Sequence, residues 1–552
     1  MAKQAESETE KRPATPEEDE DDPIADLIGN YGPWQLKLTF LLSLCSFPCT
    51  FHIFSPTFIA ATEDFWCARP PNLSDVPVDT WKNVSQPQGS CMITDISWLD
   101  ISINQILNGN IPPGEQIECT EWEWDKSTIG DTIVSEWNLV CDRAYLNTLA
   151  EVLFLFGVAL GGVVSGMISD RFGRKKTLIS ALITQTLLAI AITFCPWYEL
   201  YLILRILLGF LSVSVVFSGF VLSMELVGGK WRTIAGVCNF FPLPVSYCLV
   251  SALSMALPNW RHLQLALSLP GILLITLWWV IPESPRWLLT MGRITEVKEI
   301  VQQAAKFNKR QLPASLDKIL QPGGKPSEAD MQTYGVLDLF RKPSTKITIC
   351  IFIIWGATTL VYYGLVLNIS AFGGDLHITS ILSGVVEIPA LALSIPVLMK
   401  LGRRWPICFS IVFAGVGCIG VSLVDAFEGE LWLKITFVMI SKFAISATNG
   451  VLPMYTAELY PTLMRNLGVG ASQVMAGATL VCIPYVWTIN APFPMVVMGV
   501  LGVLGGLCVL LLPETANKSL TSTTYEERPV SPQNQTATNH NGPFTIGETK
   551  SA

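Results

Sequence analysis

DRFGRKK at residues 170–176 and LGRRWP at residues 401–406 each close an apolar run of about twenty residues. The repetition extends outward from these two marks. Glu225 precedes Arg232 by seven residues, and Glu458 precedes Arg465 by the same seven. Pro282-Glu283-Ser284 returns as Pro513-Glu514-Thr515. All three matches share an offset of roughly 230 residues, which predicts a duplicated unit. Apolar runs lie near 37–60, 146–168, 177–195, 199–222, 233–256 and 263–281, then near 347–367, 379–399, 406–425, 431–453, 467–490 and 494–512. Each suits a helix crossing about 30 Å of hydrocarbon. Half of the 552 residues are hydrophobic and 15% are charged, where a soluble protein carries about a quarter. The expected fold class is an all-α membrane protein, with twelve transmembrane helices in two pseudo-symmetric six-helix bundles.

Basic residues set the expected orientation. Arg171, Arg174, Lys175 and Lys176 follow the second run, Lys230 and Arg232 the fourth, and Lys400, Arg403 and Arg404 the eighth. The loops after runs 3, 7 and 11 carry none. Both termini are therefore expected in the cytoplasm and the protein in the plasma membrane. The organisation expected is an acidic tail (1–36), a first half (37–289) with an external loop (61–145), a cytoplasmic segment (290–345), a second half (346–513) and a cytoplasmic tail (514–552). The net charge of −9 reflects Glu17 to Asp22, EEDEDD, a solvated run. The external loop holds Cys67, Cys91, Cys119 and Cys141, an even set in an oxidising compartment, so two disulfides are expected with the pairing open. It also holds glycosylation sequons at Asn72 and Asn83, while those at Asn517 and Asn534 fall on the cytoplasmic side. The other ten cysteines read as packing residues within the spans, and no metal site is expected.

The repeated charges stand at inner helix ends, where Arg and Lys bond terminal carbonyls and meet the negative end of the helix dipole. Glu225–Arg232, Glu458–Arg465 and Asp170–Arg174 are candidate clamps between the halves in an outward-facing state. The alternative is that they fix topology and cap helices.

These features resemble the major facilitator superfamily and, within it, the organic ion transporters of solute carrier family 22. The most specific segments are SEWNLVCD at 135–142, PESPRWLL at 282–289 and AELYPTLMRNLGVG at 457–470, together with the long cysteine-bearing loop. Sugar porters share a PESPR-like motif but lack the long loop and the SEWNLVC segment. The resemblance implies alternating access and a gating set of Asp170, Arg171, Gly173, Arg174, Glu225, Arg232, Glu283, Arg286, Arg403, Arg404, Glu458 and Arg465. It also places Arg205 in the cytoplasmic network of the first half.

An ionisable residue at mid-membrane costs at least about 2.5–3.5 kcal/mol, so it marks a site. Glu387, followed by Pro389, which is expected to open the helix locally, is the first candidate. Lys442 is its counter-charge, and the two form either a structural ion pair or a substrate-exchanging one. Trp355 and Tyr362, seven residues apart on one helical face, match cavity aromatics of the resembling cation carriers, and Asn239 matches a polar cavity position. Two positions depart from the family. Where cation carriers have an aspartate, and anion or carnitine-type carriers often an arginine, this chain has Gly477; where cation carriers have a lysine it has Val213. The substrate expected is a small organic ion, cation or zwitterion, with an organic anion exchanger or a non-transporting sensor as alternatives. Scattered histidines (His52, His262, His377, His540) and the absence of GxSxG, HExxH and Walker-type motifs argue against an enzyme, an ATP-driven pump or any cofactor. No nucleic-acid partner is expected.

Overall fold

The computed structural model describes residues 23–515, except 88, 108–110, 128, 230, 314–315, 321–338, 341–343, 461–464 and 490–491. Among the described residues, twelve apolar helices form the body of the fold: α1 (Pro33–Ile59), α2 (Ala144–Phe172), α3 (Arg174–Thr193), α4 (Tyr198–Leu226), α5 (Ile234–Ala256), α6 (Trp260–Trp279), α7 (Ser344–Leu367), α8 (Leu376–Leu401), α9 (Arg404–Ala426), α10 (Leu431–Leu459), α11 (Arg465–Trp487) and α12 (Phe493–Val509). Eleven are long and apolar enough to span a membrane, and α12 is a shorter apolar helix of 17 residues. Its end is tightened rather than cut short: Leu510, Leu511 and Leu512 each donate to the carbonyl three residues back.

Proline interrupts two of the helices that face the other half. In α1 the helix breaks at Cys45 and Ser55, close to Pro48 and Pro56, whose missing N–H groups leave gaps in the ladder. The chain turns at Asn239–Phe241 within α5, ahead of Pro242 and Pro244. Pro389 does not open α8, which runs unbroken through Pro389 and Pro396.

With twelve crossings the chain ends return to one side, called here the terminal face; the segment 60–143 lies on the opposite, loop face. This segment is a small domain with two antiparallel ribbons, β1 (Phe65–Cys67) with β4 (Trp122–Trp124) and β2 (Met92–Thr94) with β3 (Gln116–Glu118). Its core is Trp66, Leu73, Val76, Trp81, Trp98 and Ile106. Disulfides Cys67–Cys119 and Cys91–Cys141 close loops of 52 and 50 residues, each restricting the unfolded chain by about 4 kcal/mol in the chain-entropy account. Of the remaining cysteines, Cys195 sits in the α3–α4 turn rather than inside a helix.

On the terminal face, Ile294–Phe307 forms an amphipathic helix that buries Val297, Val301 and Ala304. The acidic tail ends sooner than residue 36. Ile24, Ala25, Leu27 and Ile28, on the helix Pro23–Ile28, are buried, and Asn308 accepts from Trp34 N at 3.0 Å. Glu17–Asp22, Asn517 and Asn534 lie outside the described residues.

The halves meet along two seams. One packs α2 on α11. The other packs α5 on α8, where Tyr247 Oη donates to Ser380 Oγ at 3.3 Å and Ser251 Oγ donates to the His377 carbonyl at 2.9 Å.

Candidate functional site

Glu387 and Lys442 are 4% and 1% exposed, on the mid-portions of α8 and α10. Lys442 Nζ lies 2.8 Å from Glu387 Oε2, and Tyr362 Oη on α7 donates to Oε1 at 2.8 Å. The ammonium also stands 3.6 Å from the centre of the Tyr362 ring. A buried ion pair persists only where further hydrogen bonds and good geometry offset the loss of water; the phenol and its ring face supply both. Trp355, two turns away on α7, turns to α10 and donates from Nε1 to Thr456 Oγ1 at 2.9 Å. Both aromatics are therefore interior to the second half. The pair lies beside the α5–α8 seam, since Glu387 is two turns along α8 from Ser380.

The remaining substrate candidates are elsewhere. Asn239 ties α5 to α4, its Nδ2 donating to Ser223 Oγ of α4 and to the Ala235 carbonyl of its own helix, both at 2.9 Å. Gly477 is buried in the α2–α11 seam, where an added Cβ would stand 2.7 Å from Ala159 Cβ. Glycine is there because the two helices need the space.

Arg205 is not in the cytoplasmic network. It sits on the second turn of α4 from the loop face, 2% exposed, its guanidinium 4.2 Å above the Phe154 ring.

On the terminal face the repeat recurs in three dimensions. Gly173 and Gly402 both take positive φ, 106° and 83°, between consecutive helices. Arg174, next in sequence, binds Glu225 through Nε and Nη2 at 3.1–3.3 Å; Arg403, its counterpart, binds Glu458 at 3.3 Å. The Glu283 carboxylate accepts from Lys175 N at 2.9 Å, and that of Glu514 from Arg403 N and Arg404 N at 2.8 and 3.0 Å. Each Pro-Glu motif thus caps the N-terminus of the third helix of its half. Arg286 binds the Met224 and Val227 carbonyls at 3.3 and 3.2 Å, and Arg232 reaches the Val227 carbonyl at 3.4 Å. Asp170 pairs with Arg174 at 2.7 Å, Arg404 binds the Leu510 carbonyl, and Arg171 lies 5.6 Å from the Phe172 ring. The Arg465 side chain lies outside the described residues. These ion pairs close within a half, not between halves, because each joins helix ends that the same bundle brings together.

The motif SEWNLVCD docks the loop domain. Glu136 pairs with Arg261 and accepts from Trp260 Nε1 at 2.6 Å, while Trp137 packs on Tyr198, Tyr201 and Trp260. Glu63, buried at the start of the domain, accepts from Gly130 N and Ile129 N at 2.9 and 3.2 Å. Burial raises its carboxyl above the ordinary range, and these two bonds offset part of the rise. Asn72 and Asn83 are exposed.

Sequence reasoning missed His377. Its Nδ1 meets Ser254 Oγ at 3.0 Å, and its ring stacks on Phe58 at 5.5 Å, joining α8 to α5 and α1 at the loop face. Its position at the start of an apolar run was the available signal.

Known proteins share this architecture. A family model described as "Sugar (and other) transporter" matches residues 126–526. The organic cation transporter protein of Drosophila melanogaster is 34% identical over 518 residues, covering 91% of this chain and 93% of that one. Solute carrier family 22 member 4 of Mus musculus is 34% identical over 519 residues, 90% of this chain and 93% of its own. The xylose transporter XylE of E. coli, in a partially occluded inward-open conformation, superposes with a TM-score of 0.61 at 15% identity, covering 88% of this chain and 99% of that one. That likeness carries the fold, and the closer relatives carry the family. The chain belongs to the organic ion transporters of solute carrier family 22, within the major facilitator superfamily.

Proposed function

We propose that this protein moves small organic cations or zwitterions across the plasma membrane by alternating access, with the loop face outside and both termini in the cytoplasm. The observation that carries this reading is the desolvated Glu387–Lys442–Tyr362 cluster beside the seam between halves. A substrate ammonium that reaches Glu387 competes with Lys442 for one carboxylate, so binding and release become an exchange of partners. The relatives' names, organic cation transporters among them, support the same substrate class. Two disulfides and two exposed sequons on the loop face support its external position.

The test is uptake of labelled tetraethylammonium, carnitine and benzoate into proteoliposomes, with wild type set against Glu387→Gln. Saturable, trans-stimulated uptake of the first or second, lost in the variant, is the expected result. Binding without flux would identify a sensor, and preference for benzoate an anion carrier.

A further inference from the structure

Beneath the loop face lies a cavity of about 450 Å³, within the roughly 300–1,000 Å³ range of small-molecule sites. Both halves line it: Thr57, Asn147, Glu151 and Arg205 from the first, Asn368 and Ser370 from the second. It is separate from the Glu387 cluster, none of whose residues lines it.

Arg205 is the anomaly in this cavity. Its side chain is held by stacking on Phe154 at 4.2 Å and by Tyr201, whose ring centre is 6.0 Å away. Stacking engages the faces of the guanidinium and leaves its N–H edges open. Nε and Nη1 are buried with no hydrogen-bond acceptor. Unmet donors on a buried cation cost more than those on a neutral group. A further polar atom is idle on the same wall. Asn147 donates through Nδ2 to the Ala60 carbonyl at 3.0 Å, while its Oδ1 is buried without a partner. Glu151, one helical turn from Asn147 on α2, lines the cavity as well. The cavity therefore offers open donors on a cation together with an acceptor oxygen and a carboxylate.

From this we infer that the cavity is a second substrate station selective for amino-carboxylate zwitterions, with Arg205 receiving the carboxylate and Glu151 with Asn147 receiving the ammonium. One cation and one anion on its wall match a ligand of zero net charge. A simple cation entering would leave Arg205 unanswered, and a simple anion would leave Glu151 so. The inference rests on the transport reading above and narrows its substrate class. Arg205 lies seven residues into α4 from the loop face, roughly 10 Å of helix rise, and Glu387 lies eleven residues into α8, roughly 16 Å. The station is thus the shallower of the two.

The test uses the full-length protein in detergent with labelled 3-aminopropionate as the probe, competed by propylamine and by propionate. Each competitor carries one of its two charges. Saturable binding is expected, with both competitors weaker by about tenfold or more. Arg205→Gln and Glu151→Gln should each weaken probe binding by about tenfold or more, and Arg205→Lys should recover part of the loss. Propylamine competing as well as the probe itself, absence of saturable binding, or Arg205→Gln binding within about twofold of wild type would each overturn the inference. The wild-type competition needs no variant, so it decides even if Arg205→Gln does not fold. Tetraethylammonium uptake into proteoliposomes separates the two claims. Uptake without selective probe binding overturns this station alone, and selective binding without any uptake overturns the transport reading.

Discussion

Lys442 and Glu387 each neutralise the other at 2.8 Å, and neither reaches bulk water. Removing one member of such a pair strands a buried charge, a cost of about 3–5 kcal/mol. Lys442→Met should therefore lower the thermal midpoint markedly. Glu387→Gln/Lys442→Met should regain much of that stability without regaining uptake. Melting in detergent alongside flux in liposomes distinguishes the outcomes; a double variant no more stable than Lys442→Met would count against the pairing.

Gly477 gives a different kind of prediction. Any side chain there meets Ala159, so Gly477→Asp should push α2 and α11 apart and disfavour the seam seen here. The distance between spin labels at the loop-face ends of α2 and α11, on the exposed Tyr145 and Tyr485, should lengthen in that variant. Ala159→Gly should suppress the effect. If that distance is unchanged, the seam does not depend on this contact.

The twin caps should behave alike. Glu283→Gln and Glu514→Gln each weaken a carboxylate cap on the third helix of a half, with an expected cost of about 0.5–2 kcal/mol. Comparable losses of melting temperature in both variants are expected. A large effect in one half only would show that the repeat is geometric but not energetic.

Glu63 carries a pH signature. Its folded-state pKa is raised, chiefly by burial, so its contribution to stability is best at low pH and falls as pH rises through the raised value. Glu63→Gln mimics the neutral form and keeps an acceptor for Gly130 and Ile129. The variant should melt higher than wild type at neutral pH, and the gap should shrink as pH approaches about 4.3, the ordinary glutamate value. A gap independent of pH would remove Glu63 as its source.

Sidedness is checked with an endoglycosidase. A mobility shift is expected that is lost in Asn72→Gln/Asn83→Gln; a shift that persists there, and persists again after Asn368→Gln removes the further loop-face sequon Asn368-Ile-Ser370, would point to Asn517 or Asn534 and reverse the orientation.

The spans were legible because each is a local property: twenty apolar residues in a row, closed by charge. The Glu387–Lys442 pair was legible for the same reason, as charges stranded mid-run announce each other. The repeat was visible in sequence, but its partners were not. Arg174 meets Glu225 across 51 residues and Arg403 meets Glu458 across 55, distances set by helix packing alone. Gly477 looked like an empty binding position because its neighbour, Ala159, belongs to the other half. Arg205 lies at the opposite face from the one the resemblance implies, because Tyr198 begins α4 at the loop face and Arg205 follows within two turns.

The loop domain is bolted to one half. Among the described residues its hydrogen bonds to the helices run to the first bundle: Asp131 to the Pro258 carbonyl and Trp260 N, and Glu136 to Arg261 and Trp260. Whatever angle that bundle turns through, the braced domain turns with it. It is a pointer fixed to a moving plate: a dye on its tip, paired with one on the second bundle, would convert each transport stroke into a change of light.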